Sequence, residues 1–208
     1  MTECFDLHCR ACPRLAGFLD DVKAQHPNYH ARPVAAFGDT KPQLLIIGLA
    51  PGMHGANRTG RPFTGDYAGI LLYQTLFDLG LSSEPESSAA TDGLELHGVR
   101  ITNAVKCLPP QNKPDTSEIW QCNGFLKKEI IALPDHCNLM ALGKIAHDAV
   151  LRAYDLKLSA LKFTHGAKHM LPDGRKLTDS YHCSRYNTQT RRLTPLMFET
   201  VLKQALQP

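Results

Sequence analysis

Cys9 and Cys12 form a C-x-x-C pair, and Cys107 and Cys122 follow at a spacing of fifteen. A C-x-x-C turn presents two thiolates to one ion. Two more thiols from a loop-plus-helix unit complete a four-thiolate site suited to a [4Fe–4S] cluster or a tetrahedral zinc. The spacing is neither that of two paired zinc-ribbon knuckles nor that of a bacterial ferredoxin run. A chance pair of buried thiols stays open. A redox dithiol is disfavoured, because the pair precedes the first predicted strand instead of following one. Cys137 reads as a small hydrophobe, Cys4 as a replacement ligand off the C-x-x-C spacing, and Cys183 as part of a polar loop.

Three loops carry the remaining chemistry. The first, GLAPGMHGANRTGRPFTGD (48–66), has five Gly, so its backbone can approach a ligand closely. It lacks both the G-K-[ST] ending of a phosphate loop and the G-x-G-x-x-G dinucleotide spacing. It supplies a ring, Phe63, that can stack on a flat base, and a carboxylate, Asp66. The plain alternatives are a core anchor for Phe63 and a helix N-cap for Asp66. The second loop opens at Asn103, whose amide offers a donor and an acceptor together, matching the imide edge of a pyrimidine. The third, SYHCSRYNTQTRR (180–192), starts at a strand end with His182, able to give a hydrogen bond or a positive charge to a developing anion. Its Arg185, Tyr186, Arg191 and Arg192 suit phosphate contacts or a vacated base stack; a merely polar surface loop is the alternative.

These loops need strands and helices to hold them. Leu44–Leu49 is a continuous apolar run, as in a buried parallel strand. Gly98–Val105, Asn138–Leu142 and Leu177–Tyr181 read as further strands. Cys12–Val22, Ala68–Leu79, Ser117 (as cap) to Leu133, Lys144–Tyr154 and Thr194–Leu206 read as helices. Residues 82–93, 107–116 and 182–192 read as loops. The alternation predicts an α/β fold, a three-layer α/β/α sandwich with a central, mainly parallel sheet. In such folds ligands sit beyond the carboxyl ends of the strands, where all three loaded loops fall.

The 208 residues suit one domain. With 43% hydrophobic and 21% charged residues the chain can fill a core and is not of disordered composition. No apolar run approaches the roughly 20 residues of a membrane span. The first ten residues are not a secretory signal, so a reducing, cytoplasmic setting and thiols in place of disulfides are expected. Residues 1–143 carry 12 Lys and Arg against 15 Asp and Glu, whereas residues 144–208 carry 11 against 5. A basic C-terminal third facing phosphate is one reading.

Taken together, C9-R-A-C12, GLAPGMHGANRTGRPFTGD, ITNAVKCLPP (101–110), ALGKIAH (141–147) and SYHCSRYNTQTRRLTPLMF (180–198) give the chain a family likeness. It resembles the iron–sulfur branch of the uracil-DNA glycosylase superfamily, and most closely the family 5 enzymes, over almost its whole length. The resemblance implies a monofunctional DNA glycosylase that hydrolyses the N-glycosidic bond of uracil, and of other deaminated bases such as hypoxanthine, to begin base excision repair. It makes Cys9, Cys12, Cys107 and Cys122 the ligands of a structural [4Fe–4S] cluster that ties on the N-terminal segment. It makes Phe63 the stacking platform, Asn103 the amide that reads the base edge and His182 the head of the last motif. Ala50 and Gly52 join the substrate-binding set, and Ser184, Arg185, Tyr186 and Arg191 the DNA-binding set. Most superfamily members place Asp or Asn at the position of Ala50. Family 5 shares its absence, which leaves Asp66 as the carboxylate to orient water. The family usually has Pro where Cys183 stands, so a less rigid loop is expected.

The implied partner is DNA carrying deaminated bases, with no membrane; a monomer, a nucleoid-associated location and a prokaryotic source are expected. Two rival classes remain. One is a non-catalytic, metal-stabilised nucleic-acid-binding domain, which explains the basic third and the cysteines but not Phe63, Asp66, Asn103 and His182 gathering at strand ends. The other is a small redox or nucleotide-metabolism enzyme, which lacks a cofactor loop.

Overall fold

The computed structural model describes residues 5–207, so Cys4 lies outside the described residues. Six strands form one sheet: β1 (Phe37–Gly38), β2 (Leu44–Gly48), β3 (Val99–Asn103), β4 (Asn138–Leu142), β5 (Lys168–Met170) and β6 (Lys176–Ser180). Their order is β1-β3-β2-β4-β6-β5. β3, β2, β4 and β6 run parallel, and β1 and β5 close the edges antiparallel. Every residue of β2 and β4 is buried, which is why both read as unbroken apolar runs.

Seven helices accompany the sheet: α1 (Pro13–Gln25), α2 (Ala56–Thr59), α3 (Tyr67–Asp78), α4 (Thr116–Ile131), α5 (Lys144–Ala153), α6 (Arg185–Gln189) and α7 (Pro195–Ala205). Because strand side chains alternate, Leu44, Ile46, Val99, Ile101 and Met140 meet Leu72 and Leu76 of α3 and Phe198 and Leu202 of α7. On the other face Leu45, Ile47, Leu139 and Leu177 meet Leu126 and Ile130 of α4 and Ala149 and Val150 of α5. The result is the expected three-layer α/β/α sandwich. α1 packs separately, through Leu15, Leu19 and Val22, near Val105 and Leu108.

Several local expectations change. The cap of α4 is Asp115 in a reciprocal capping box with Glu118, not Ser117. The polar stretch after His182 contains α6 rather than loop alone, with Ser184 as its N-cap. The short elements β1, α2 and β5 and a 3-10 turn at Pro110–Asn112 carry too few residues for a periodic signal.

A buried polar group braces the sheet edge that leads to His182. Asp179 of β6 is fully buried, with Oδ1 2.8 Å from His147 Nδ1 and Oδ2 3.1 Å from His169 Nε2. His147 Nε2 lies 3.1 Å from the Leu161 carbonyl, to which it can only donate. Nδ1 then bonds a carboxylate only if it too carries a proton, making His147 an imidazolium. Burial pulls the His147 pKa down, but hydrogen bonding and charge from Asp179 outweigh it and hold it above 6.5. A raised histidine pKa contributes stability that is complete below the unfolded value and is lost as pH rises through the folded one. Accordingly, His147→Gln is expected to lower the melting temperature most near pH 6, by about 1–3 kcal/mol of stability. The gap from the parent should shrink as the pH is raised; a constant gap in calorimetry would remove the imidazolium.

Candidate active site

The parallel register sets Gly48, the last residue of β2, beside Asn103, the last of β3. The backbone there is crowded by what converges on it. A Cβ on Gly48 would stand 2.5 Å from Asn103 Oδ1 and 2.6 Å from Phe63 Cζ, so only glycine fits. Asn103 is 2% exposed, and its Oδ1 has no hydrogen-bond partner among the described residues. An orphaned buried acceptor is costly unless something arrives to satisfy it.

Phe63 is held at φ 57, a strained value for a residue with a side chain. Its ring is 5% exposed and belongs to the core under α3 and α7. The His182 ring lies against it, with centroids 5.9 Å apart and planes at 28°. Phe63 is thus a core anchor as well as one wall of the site. Phe63, Asn103 and His182, 119 residues apart at their extremes, meet at the strand ends.

Asp66 occupies the N-cap position of α3, yet its side chain does not cap that helix. It turns back into the glycine-rich loop, where Oδ2 accepts from the Ala56 N–H at 3.1 Å. Gly52 and Gly55 make room for it: a Cβ on either would stand 2.5 Å or 1.8 Å from Oδ1. Burial raises the Asp66 pKa above the ordinary carboxylate value, while the Ala56 amide, Arg58 and His54 offset part of the rise. A base with a raised pKa takes up a proton more readily.

His182 is half-buried, and burial pushes its pKa down to about 4. At neutral pH His182 can therefore give a hydrogen bond but not a positive charge. Neither ring nitrogen has a partner among the described residues, so both are free for a ligand. The following residue, Cys183, is fully buried in the core rather than displayed on a polar loop. Asn187 Nδ2 donates to the His182 carbonyl at 2.8 Å, and α6 follows at once. Core packing and this bond restrain the segment without the family's proline.

Beyond His182 the chain presents an open rim. Ser184 accepts from the Asn187 N–H, Arg185 lies over the Tyr67 ring at 5.6 Å, and Tyr186 is 69% exposed. Arg191 is exposed in a left-handed turn, and Arg192 stacks on Tyr181 at 4.4 Å. Ala50 faces elsewhere than its motif position suggests: its methyl packs toward Leu15, Val105 and Cys122.

That contact joins the site to the thiols. Cys9, Cys12, Cys107 and Cys122 line one cavity walled by Leu15, Val105 and Phe125. The Lys106 N–H donates to Cys122 Sγ at 3.2 Å, the kind of bond that supports a metal-bound thiolate. Burial pushes the Cys107 thiol up to about 12 and Cys122 up to about 11, and neighbouring thiols add to both. Thiolates here therefore need a cation beside them. Four thiols on one cavity are a donor set suited to a metal centre. Cys137 is fully buried in the sheet core, as expected of a small hydrophobe.

Sequence reasoning passed over Gly48 and Gly55, whose role is visible only as space left for another side chain. It also passed over Asn57 in the same loop, fully buried with neither amide atom partnered among the described residues. The one available signal was an amide residue inside a glycine-rich loop.

Comparison with known proteins places the chain in a family. The model of the uracil DNA glycosylase superfamily matches residues 35–206. The chain is 49% identical over 202 residues to a type-5 uracil-DNA glycosylase of Thermus thermophilus, covering 95% of this chain and 92% of that one. It is 39% identical over 203 residues to a type-5 uracil-DNA glycosylase of Pyrobaculum aerophilum, covering 96% and 88%. A type-4 uracil-DNA glycosylase of Archaeoglobus fulgidus is 28% identical over 161 residues, covering 77% and 67%. With both the fold and the strand-end site in place, the chain belongs to the uracil-DNA glycosylase superfamily, alongside its type-5 members.

Proposed function

We propose that this chain hydrolyses the N-glycosidic bond of uracil in DNA, with Phe63, Asn103, Asp66 and His182 forming the reaction site. The observation that carries the reading is the meeting of an aromatic ring, an unpartnered buried amide oxygen and a free neutral imidazole at the ends of parallel strands. A base inside a duplex is out of reach of such a site and must first be rotated out of the stack, at a cost of a few kcal/mol. The everted base lies on Phe63 beside His182, because rings 5.9 Å apart leave no room for a third between them. Asn103 Oδ1 accepts from the imide N–H of the base, satisfying the orphaned acceptor.

Breaking the bond leaves oxocarbenium-like positive charge on the sugar and negative charge on the base. His182 donates a hydrogen bond to the base anion as a neutral imidazole, and backbone amides of the glycine-rich loop, Gly52 among them, assist. Asp66 orients the water that adds at C1′ and takes up the proton that the water sheds, while the departing base anion is protonated from solvent. No lysine is required, so no strand cleavage accompanies the reaction. Ser184, Arg185, Tyr186 and Arg191 grip the flanking phosphates and fill the vacated stack, in keeping with the basic C-terminal third. On the same reading hypoxanthine is accepted as well as uracil. The chain acts as one domain and as a monomer in the cytoplasm; among the described residues no helix is long and apolar enough to cross a membrane.

Cys9, Cys12, Cys107 and Cys122 hold a [4Fe–4S] cluster. When bound, it supplies a structural cross-link and no step of the hydrolysis. Its effect is to fasten the segment before α1 to the turn and helix that follow β3.

The reading is tested on duplexes holding uracil, hypoxanthine, xanthine or thymine opposite each base, followed by alkali and gel analysis. Cleavage at uracil is expected, and binding without cleavage would favour the non-catalytic domain instead. Asp66→Asn should slow single-turnover excision by about 10²–10⁴-fold. The parent rate should fall on acidification as Asp66 takes up its proton, at a pH above the ordinary carboxylate range, and the variant should lack this limb. His182→Ala should slow chemistry by about 10²–10³-fold while leaving DNA affinity nearly intact. Protein purified without oxygen should be brown, with a broad band near about 400 nm that Cys122→Ala removes. A colourless protein with stoichiometric zinc would overturn the cluster.

A further inference from the structure

Close behind Asn103 lies a charged group that hydrolysis itself does not use. Lys106 is 1% exposed, and its Nζ donates to Glu129 Oε1 and Oε2 at 2.8 Å each and to Thr102 Oγ1 at 2.5 Å. Thr102 Oγ1 in turn donates to Glu129 Oε2 at 2.9 Å. The ring of contacts joins three pieces of chain: the end of β3, the turn that follows it and the last turn of α4. A fully buried ion pair is a weak source of stability, since desolvation of both charges offsets their attraction. What such a pair does supply is a fixed geometry, because each partner strongly disfavours leaving the other.

The fixed point is the peptide neighbour of Asn103. The same turn is pinned on its backbone as well. Ala104 and Val105 donate to the carbonyls of Gly48 and Leu49 at 3.0 and 2.9 Å, and the Lys106 carbonyl accepts from Val34 at 2.8 Å. The Lys106 amide reaches Cys122 Sγ. One residue therefore braces the strand that ends in Asn103 with its side chain, and touches a thiol of α4 with its backbone.

We infer that Lys106 and Glu129 are positioning residues for Asn103: their buried pair sets the base-reading amide before a base arrives, and couples its placement to α4. The inference rests on the uracil-excision reading for its catalytic consequence, but its structural content stands separately. An amide misplaced by about 1 Å costs on the order of 100-fold in rate.

Lys106→Met alone would leave Glu129 buried and unpaired and endanger folding. The decisive protein is the double variant Lys106→Met/Glu129→Leu, of similar volume and without charge, made in the parent and in an Asn103→Ala background. Glu129→Gln, which keeps volume and an acceptor, is the milder companion. The double variant should retain its melting temperature within a few degrees, its absorption band and its affinity for duplex carrying an abasic site. Its single-turnover excision of uracil should fall about 30–100-fold, and Glu129→Gln about tenfold. In the Asn103→Ala background the same changes should cost less than about threefold, because the residue they position is gone. Hydrogen exchange at the amides of 99–106 should rise at least about tenfold in the double variant, with the other strands unchanged. Parent-like excision in the double variant, an equal loss in the Asn103→Ala background, or unchanged exchange at 99–106 would each overturn the inference. A parent that cuts no uracil would overturn the functional reading instead, and exchange would still decide the positioning role, including in a Glu129→Gln protein should the double variant not fold.

Discussion

The parallel register of β2 against β3 is the constraint on which the site depends. It sets Gly48 beside Asn103, and the missing side chain at Gly48 lets an amide from one strand and a ring from the loop after the other occupy the same space. A slip of one residue would turn every apolar side chain of β2 toward the wrong layer. The register is therefore fixed by two cores at once, and the placement of Asn103 and Phe63 inherits their rigidity. Phe63 tolerates its left-handed backbone for the same reason: core packing over-determines it.

Burial then divides two titratable groups by function. The same desolvation that raises Asp66 lowers His182, because in each case it opposes the charged form. His182 is thereby a neutral imidazole at neutral pH, and Asp66 takes up a proton more readily than an ordinary carboxylate. On the proposed reading the carboxylate serves where partial positive charge develops, toward water and sugar, and the imidazole where negative charge develops, on the base, through a hydrogen bond. The opposite assignment would require His182 to hold the charged form that its burial opposes.

Much of this was legible in the sequence, for identifiable reasons. Strands buried on both faces announce themselves as apolar runs, so β2 and β4 fell within a residue of their observed bounds. Phe63, Asn103 and His182 stood out because a ring, an amide and an imidazole lay in the three chemically loaded loops at strand ends. α6 was not legible: RYNTQ has no apolar periodicity, and its start depends on a Ser184 cap that resembles loop sequence. Ser117 displaced Asp115 as the expected cap because both suit the role, and only the reciprocal bond with Glu118 separates them. Cys183 looked polar by its neighbours, whereas its side chain points into the core as the chain leaves the sheet. The Lys106–Glu129 pair was invisible because a buried lysine cannot be told from a solvated one without its partner, which lies 23 residues away.

The loop of 48–66 also explains how a site can work with an inert methyl at position 50. Ala50 packs toward the thiol-lined cavity, so a carboxylate there would lose solvent and face apolar walls. On the proposed reading the carboxylate instead comes from Asp66, at the far end of the loop, and must reach back across it. It does so by forgoing its local capping role in α3 and bonding the Ala56 amide, in a space that Gly52 and Gly55 leave empty. The glycine content of the loop is thus a consequence of where the carboxylate originates. A methyl at Gly55 alone would stand 1.8 Å from Oδ1, so the carboxylate keeps this position only while residue 55 has no side chain.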